Sequence, residues 1–113
     1  MGPGCETVRC SFAQDTHLVV GRWKDGRTGT FRGIRKGATG YGVTIFGDKG
    51  IRSSLAVQGK NDYRNLVVEI VKFFKTGEPP VSVDEMLEVL AFMEAADASK
   101  AKGGAEIRLD ELK

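Results

Sequence analysis

The apolar pattern changes period close to Gly59, and that change restricts the chain to a sheet laid down first with helices added after it. Before this point, short runs rich in Val, Thr, Phe and Arg alternate with turn residues. Residues 6–12 and 17–23 predict two strands, because β-branched and aromatic side chains suit a pleated, half-buried surface. Asp25-Gly26 lies in the following turn and supplies a dipeptide that tolerates positive φ in a tight hairpin. Residues 28–35 predict a third strand, with Gly29, Phe31 and Gly33 on one face and Thr28, Thr30, Arg32 and Ile34 on the other. Residues 41–46 and 51–57 predict a fourth and fifth, joined through Gly47-Asp48-Lys49-Gly50. Connections this short make neighbours antiparallel, since a parallel pair needs a crossover of roughly a dozen residues or more.

Beyond Gly59 the period lengthens to about 3.6 residues. Tyr63, Leu66, Val67, Ile70, Phe73 and Phe74 form one apolar face of a first helix, with Asn61 or Asp62 as its cap. Thr76-Gly77, followed by Glu78-Pro79-Pro80, ends it. Ser82 and Glu85 then have the spacing of a capping box. Val83, Met86, Leu87, Leu90 and Met93 predict the buried stripe of a second helix. Lys100 and Lys102 close that helix before Gly103-Gly104, where cations favour the negative end of the dipole. Residues 105–109 predict a short last strand. Each element has one apolar face, so the expected class is α+β: a mostly antiparallel sheet of about five strands with both helices packed on one side. The expected organisation is one domain spanning 1–113, strand-rich over 1–59 and helix-rich over 60–113.

Charge divides with the pattern. Residues 1–60 carry 10 Lys and Arg against 4 Asp and Glu, whereas residues 61–113 carry 7 against 11, for a net +2 overall. The basic half invites a nucleic-acid reading, but Lys and Arg also protect sheet edges from aggregation, and Arg32 falls opposite Phe31. A nucleic-acid partner is therefore not expected. Cys5, Cys10 and the single His17 are too few for a four-ligand zinc site. No apolar run reaches the roughly 18 residues of a membrane span. No secretory leader is recognisable, so reduced thiols and a cytoplasmic location are expected.

Local motifs offer little chemistry. Arg35-Lys36-Gly37-Ala38-Thr39-Gly40-Tyr41-Gly42 is rich in glycine and cations, as phosphate loops are. Such loops lead from a strand into a helix, whose amino terminus faces the anion; here both neighbours read as strands, and the glycine order reverses the dinucleotide fingerprint. His17 titrates near neutrality, yet its nearest acidic neighbour in sequence, Asp15, is not placed to orient it. Cys5 and Cys10 lack a helix amino terminus or a paired histidine that would activate a nucleophile. Met86, Phe92 and Met93 read as helix-packing residues, and Asp84, Glu85, Glu88, Glu94 and Asp97 as a solvated face.

The order of the motifs is more informative than any one of them. Residues 23–33, Trp23-Lys24-Asp25-Gly26-Arg27 through Gly33, resemble a hairpin of the Gfo/Idh/MocA oxidoreductases, which include glucose–fructose oxidoreductase and inositol dehydrogenase. Tyr41-Gly42-Val43-Thr44-Ile45-Phe46-Gly47-Asp48-Lys49-Gly50 is similar to that family's strand and G-x-x-G turn. Tyr63-Arg64-Asn65-Leu66, Glu69-Ile70 and Phe73-Phe74, then Thr76-Gly77-Glu78-Pro79-Pro80 with Ser82 and Glu85, are similar to its late helices. The resemblance covers almost the whole chain. It implies the carboxy-terminal substrate and oligomerisation portion of an enzyme that transfers hydride between a sugar or polyol and NAD or NADP. It also implies that the amino-terminal Rossmann domain, the Glu-Lys-Pro lysine and the catalytic Asp and His belong upstream of the matched region. No catalytic, cofactor-binding or metal-binding residue is thus expected in this chain, and the isolated chain is expected to be inactive. A homo-oligomer through the sheet is implied, and Tyr41 is the one residue at a position that can contact substrate. A stand-alone dimerisation module is the alternative.

Overall fold

The computed structural model describes residues 2–55 and 63–112. Among the described residues, six strands and two α-helices confirm the α+β class: β1 (Cys5–Ala13), β2 (Thr16–Trp23), β3 (Thr28–Ile34), β4 (Gly42–Gly47), β5 (Gly50–Leu55), α1 (Arg64–Thr76), α2 (Val83–Ala101) and β6 (Ile107–Arg108). A 3-10 turn, Leu109–Glu111, follows β6. The chain forms two compact units. One combines residues 1–36 with 81–113, and the other is residues 37–80.

The first unit is a four-stranded antiparallel sheet in the order β3-β2-β1-β6, with α2 against β1. β1 and β2 turn through Gln14-Asp15, since Ala13 pairs with Thr16. The β2–β3 turn places Gly26 at φ 88°, a value that glycine adopts without a side-chain clash. Within this turn Asp25 accepts from the Arg27 backbone N–H at 3.1 Å and from its Nε at 2.7 Å. The first of these bonds is the main reason the Asp25 carboxyl is held below its usual range. Pairing aligns Val8 with Gly21, Cys10 with Val19, and Val19 with Phe31, so Phe31, Gly29 and Gly33 share the face predicted for them.

Cys5, Val8, Cys10, Val19 and Trp23 from the sheet, Ala91 and Ala95 from α2, and Ile107 and Leu109 beyond it make up the core. Two side chains of α2 cap the edge of β1. Glu88 Oε1 accepts from the Cys5 backbone N–H at 2.8 Å, and Ser99 Oγ accepts from that of Cys10 at 2.9 Å while donating to the Ala105 carbonyl at 2.6 Å. β6 pairs only with Thr7 and Val8, so the Ser99 hydroxyl takes up the β1 donor that no strand reaches. Small residues permit this approach. A Cβ on Gly21 would stand 2.6 Å from Phe92 Cε2 and 3.0 Å from a Trp23 ring carbon, and one on Gly104 would stand 3.4 Å from the Cys10 carbonyl oxygen.

The second unit contains a β4–β5 hairpin and α1. Gly47 pairs with Gly50 around a two-residue turn, as predicted, and the opposed Thr44 and Ser53 hydroxyls hydrogen-bond at 2.9 Å. α1 ends where expected: Gly77 adopts φ 72°, and its N–H donates to the Phe73 carbonyl at 2.7 Å. Its amino-terminal cap is Tyr63, with no side-chain bond; Asn61 and Asp62 lie outside the described residues.

Three sequence expectations need correction. The strands do not share one five-stranded sheet, because β4 and β5 pair only with each other while β6, from the far end of the chain, takes the place beside β1. Of the two helices predicted against the sheet, α2 packs on β1, and α1 belongs to the other unit. The third concerns which side of α2 is buried. Val83, Met86, Leu87, Leu90 and Met93 are exposed, and Ala91, Ala95 and Ser99 on the opposite side are buried. Bulky residues at Ala91 and Ala95 would push the helix away from β1, where Glu88 and Ser99 reach its amides. The capping box is half made, with the Glu85 N–H donating to Ser82 Oγ at 3.2 Å.

This assignment of faces is testable by urea denaturation. Ser99→Ala strands a buried donor and should cost about 1–3 kcal/mol, and Gly21→Ala overpacks and should cost a similar ~1–3 kcal/mol. Leu90→Ala, on the exposed side, should stay within about 0.5 kcal/mol. A Leu90→Ala loss equal to that of Ser99→Ala would reverse the faces of α2.

Candidate functional site

Tyr41 directly precedes β4 and is 89% exposed. The glycine-rich segment before it runs from β3 to β4, with a strand on either side as the sequence suggests. Tyr41 lies in the second unit, whereas Cys5, Cys10, His17, Trp23, Phe31 and Arg32 belong to the first. Trp23 is buried in the first unit, and the β2–β3 register keeps Phe31 on the face of Val19 while Arg32 pairs with Leu18 on the other face.

The sheet gathers a different set of groups where the carboxy-terminal half of α2 passes the β1–β2 turn. Phe12 and His17 are opposed across that hairpin, with ring centroids 4.7 Å apart. Arg35, just past β3, is clasped to the same turn. Its backbone N–H donates to the Asp15 carbonyl at 2.9 Å, and its Nη1 donates to the Gln14 carbonyl at 3.0 Å. This puts Arg35 Nη2 2.8 Å from His17 Nδ1 and 2.6 Å from Nε2. A guanidinium has no acceptor, so the imidazole must accept and is held neutral. The Arg35 guanidinium carbon lies 5.2 Å from the Phe12 ring centre and Lys100 Nζ lies 4.2 Å from it, both within cation–π range.

The His17 pKa is lowered, first by partial desolvation and then by the charges of Arg35 and Lys100; Asp97 opposes them. The cluster is therefore a neutral hydrogen-bond acceptor flanked by two cations, an environment that would attract an anion. Asp15 meets Arg35 through its backbone and does not serve as an orienting acid for His17. Sequence reasoning missed Arg35, Phe12 and Lys100 as neighbours of His17. The symmetric placement of Phe12 and His17 about Gln14-Asp15 was the available signal.

Cys5 and Cys10 are buried and free. They occupy positions five residues apart on one strand, which separates their Cα atoms by roughly 16 Å, whereas a disulfide allows about 7 Å at most. Burial and then the charge of Glu88 push the Cys5 thiol up, away from nucleophilic character. Among the described residues no group of three His, Cys, Asp or Glu side chains is placed to hold a metal ion, and no helix is long and apolar enough to cross a membrane. No protein-family model, curated protein or solved structure matches the chain.

His17 is the single histidine, so its imidazole resonances report on the cluster without ambiguity. An NMR titration should give a pKa below the ordinary value of about 6.5, and Arg35→Ala should raise it. With the folded value depressed, the unfolded chain takes up the proton first. Stability from this group is then complete above about pH 6.5 and declines as the pH falls through the folded pKa. His17→Gln should flatten that decline in urea midpoints measured from neutral to mildly acidic pH. An unshifted or raised pKa would mean that Arg35 does not hold the neutral ring.

Proposed function

We propose that this chain is the substrate and oligomerisation portion of an NAD(P)-dependent oxidoreductase acting on a sugar or polyol, and that it is inactive alone. The observation that carries the oligomerisation part is uncovered apolar surface. Met86, Leu87, Leu90 and Met93 on the outward side of α2 are exposed, as are Leu66, Ile70 and Phe74 of α1. Large apolar stripes on soluble domains mark surfaces that another chain covers. The α+β class, and the succession of hairpins followed by two helices and a last strand, agree with the order of motifs that resembles the Gfo/Idh/MocA oxidoreductases. In this reading Tyr41 contacts the polyol, homo-oligomerisation runs through the sheet with the apolar stripes as added cover, and NAD or NADP is bound by a separate domain. Two free, buried thiols suit a cytoplasmic protein.

A stand-alone dimerisation module is the second reading, favoured by the same α2 stripe. A nucleic-acid-binding sheet ranks third, since Trp23 is buried and Arg32 and Phe31 occupy opposite faces. Its affinity would fall steeply with salt.

Sedimentation equilibrium should show concentration-dependent association, weakened by Leu90→Glu. NADH titrated into the isolated chain should give no saturable signal at micromolar concentrations. A concentration-independent monomer would remove the oligomerisation role, and micromolar NADH binding would place a cofactor site in this chain. The reading frame upstream of Met1 separates the first two readings: a glycine-rich dinucleotide loop there supports the oxidoreductase, and a stop codon supports the module.

A further inference from the structure

The cluster at the β1–β2 turn has no part in the oxidoreductase reading, and it leaves charged donors over. In the Arg35 guanidinium, Nη1 donates to the Gln14 carbonyl at 3.0 Å and Nη2 contacts the His17 ring. Its Nε–H and the second hydrogen of each Nη have no acceptor among the described residues. The Lys100 ammonium makes no hydrogen bond or ion pair among them either.

Both cations lie against one ring. Lys100 Nζ is 4.2 Å and the Arg35 guanidinium carbon 5.2 Å from the Phe12 centre, so the two charges stand no farther apart than those distances together. Arg35 is fixed there by its bonds to the carbonyls of Asp15 and Gln14. The charged groups that bear on His17 are Arg35, Lys100 and Asp97; Asp97 is the one acid among them, is exposed, and has the smallest influence. The carbonyls at the carboxy end of α2 would oppose an anion, but those of Ala98, Ser99 and Lys100 accept from the N–H groups of Lys102, Gly103 and Gly104. Lys100 and Phe12 also line an open recess of about 560 Å³ with Arg9 and Ser11, and no carboxylate lines it.

A guanidinium fork and an ammonium can share an anion that carries oxygens in several directions. A tetrahedral dianion has both the charge and the oxygens to meet the two cations at once. We infer that Arg35 and Lys100 bind such a dianion beside Phe12, a sulfate or the phosphate group of a small molecule, and that protonation of His17 tightens the hold. A protonated imidazole no longer accepts from Arg35, which frees a further guanidinium hydrogen for the anion. It also adds a third positive charge. By reciprocity the bound anion favours the charged ring, so affinity rises as the pH falls.

The probe is sulfate, whose charge is constant where histidine titrates, exchanged against chloride at constant ionic strength. The single histidine supplies the readout by NMR. Sulfate should shift the His17 ring resonances saturably at millimolar to tens of millimolar concentration, and bind at least about threefold more tightly with His17 protonated than neutral. Lys100→Gln should weaken binding by about threefold or more, and Lys100→Arg should restore it. Lys102→Gln makes the same charge change two residues on and should leave affinity nearly unchanged. Glycerol phosphate, compared with sulfate at mildly alkaline pH, separates the sources: tighter binding supports an organic phosphate, and equal binding supports the free oxyanion. No saturation by about 100 mM sulfate, an affinity that does not rise on acidification, or equal losses in Lys100→Gln and Lys102→Gln would overturn the proposal.

Discussion

The first unit depends on the contact between α2 and β1. Glu88 and Ser99 are eleven residues apart on α2, a rise of roughly 16.5 Å over about three turns, so they project from the same side. Cys5 and Cys10 are five residues apart on β1, a span of roughly 16 Å at strand rise. The two spacings match, and each side chain meets its amide, at 2.8 and 2.9 Å. Ala91 and Ala95, both buried, occupy the intervening positions, and their small side chains let the helix approach the strand closely. Gly21 and Gly104 belong to the same arrangement, since one makes room for Phe92 and Trp23 and the other for the β1 backbone.

This contact gives α2 two apolar faces with different roles. The inner one is built from small residues and works by proximity, through close packing and two capped donors. The outer one is built from Met and Leu and has ample area with no cover among the described residues. Between them, Glu85, Glu88, Val89 and Phe92 line an open recess beside Trp23. At the other end of the helix Lys100 reaches over Phe12 toward the His17–Arg35 pair. The sheet thus presents an aromatic recess near one end of α2 and a basic cluster near the other.

Much of this fold was legible in the sequence wherever the cause is local. Asp25-Gly26, Gly47 to Gly50, Thr76-Gly77 and Ser82 act within a few residues of themselves, and each terminates or begins an element as read. The alternation along β3 was also local, and its faces were assigned correctly. What was not legible depends on partners far along the chain. Choosing between the two sides of α2 by hydrophobicity favours Met and Leu, whereas the inner side is selected by β1, some ninety positions away, for Ser99. A short last strand could be read over residues 105–109, but its place beside β1 through only two paired residues, and the pairing of β4 with β5 in a sheet of their own, could not. The His17 cluster required four separate segments to converge: β1, β2, the residue after β3, and α2. Of the candidate site, Tyr41 could be named from resemblance alone, and its side chain is exposed just before β4.

The edge of β1 also bears on how the chain is made. β1, β2 and β3 leave the ribosome before α2 and β6 and can zip through tight turns in microseconds, but the groups that finish the β1 edge arrive with residues 88–108. At translation rates of about 5–20 residues per second, that edge waits for several seconds after β3 has emerged. An unfinished strand edge is a template for pairing with another nascent chain. Arg9 projects from that strand and meets Glu106 only when the last segment arrives, at 3.3 Å. Until then its charge stands unneutralised on the open edge, a built-in repulsion between neighbouring nascent chains that is cancelled when the sheet is completed.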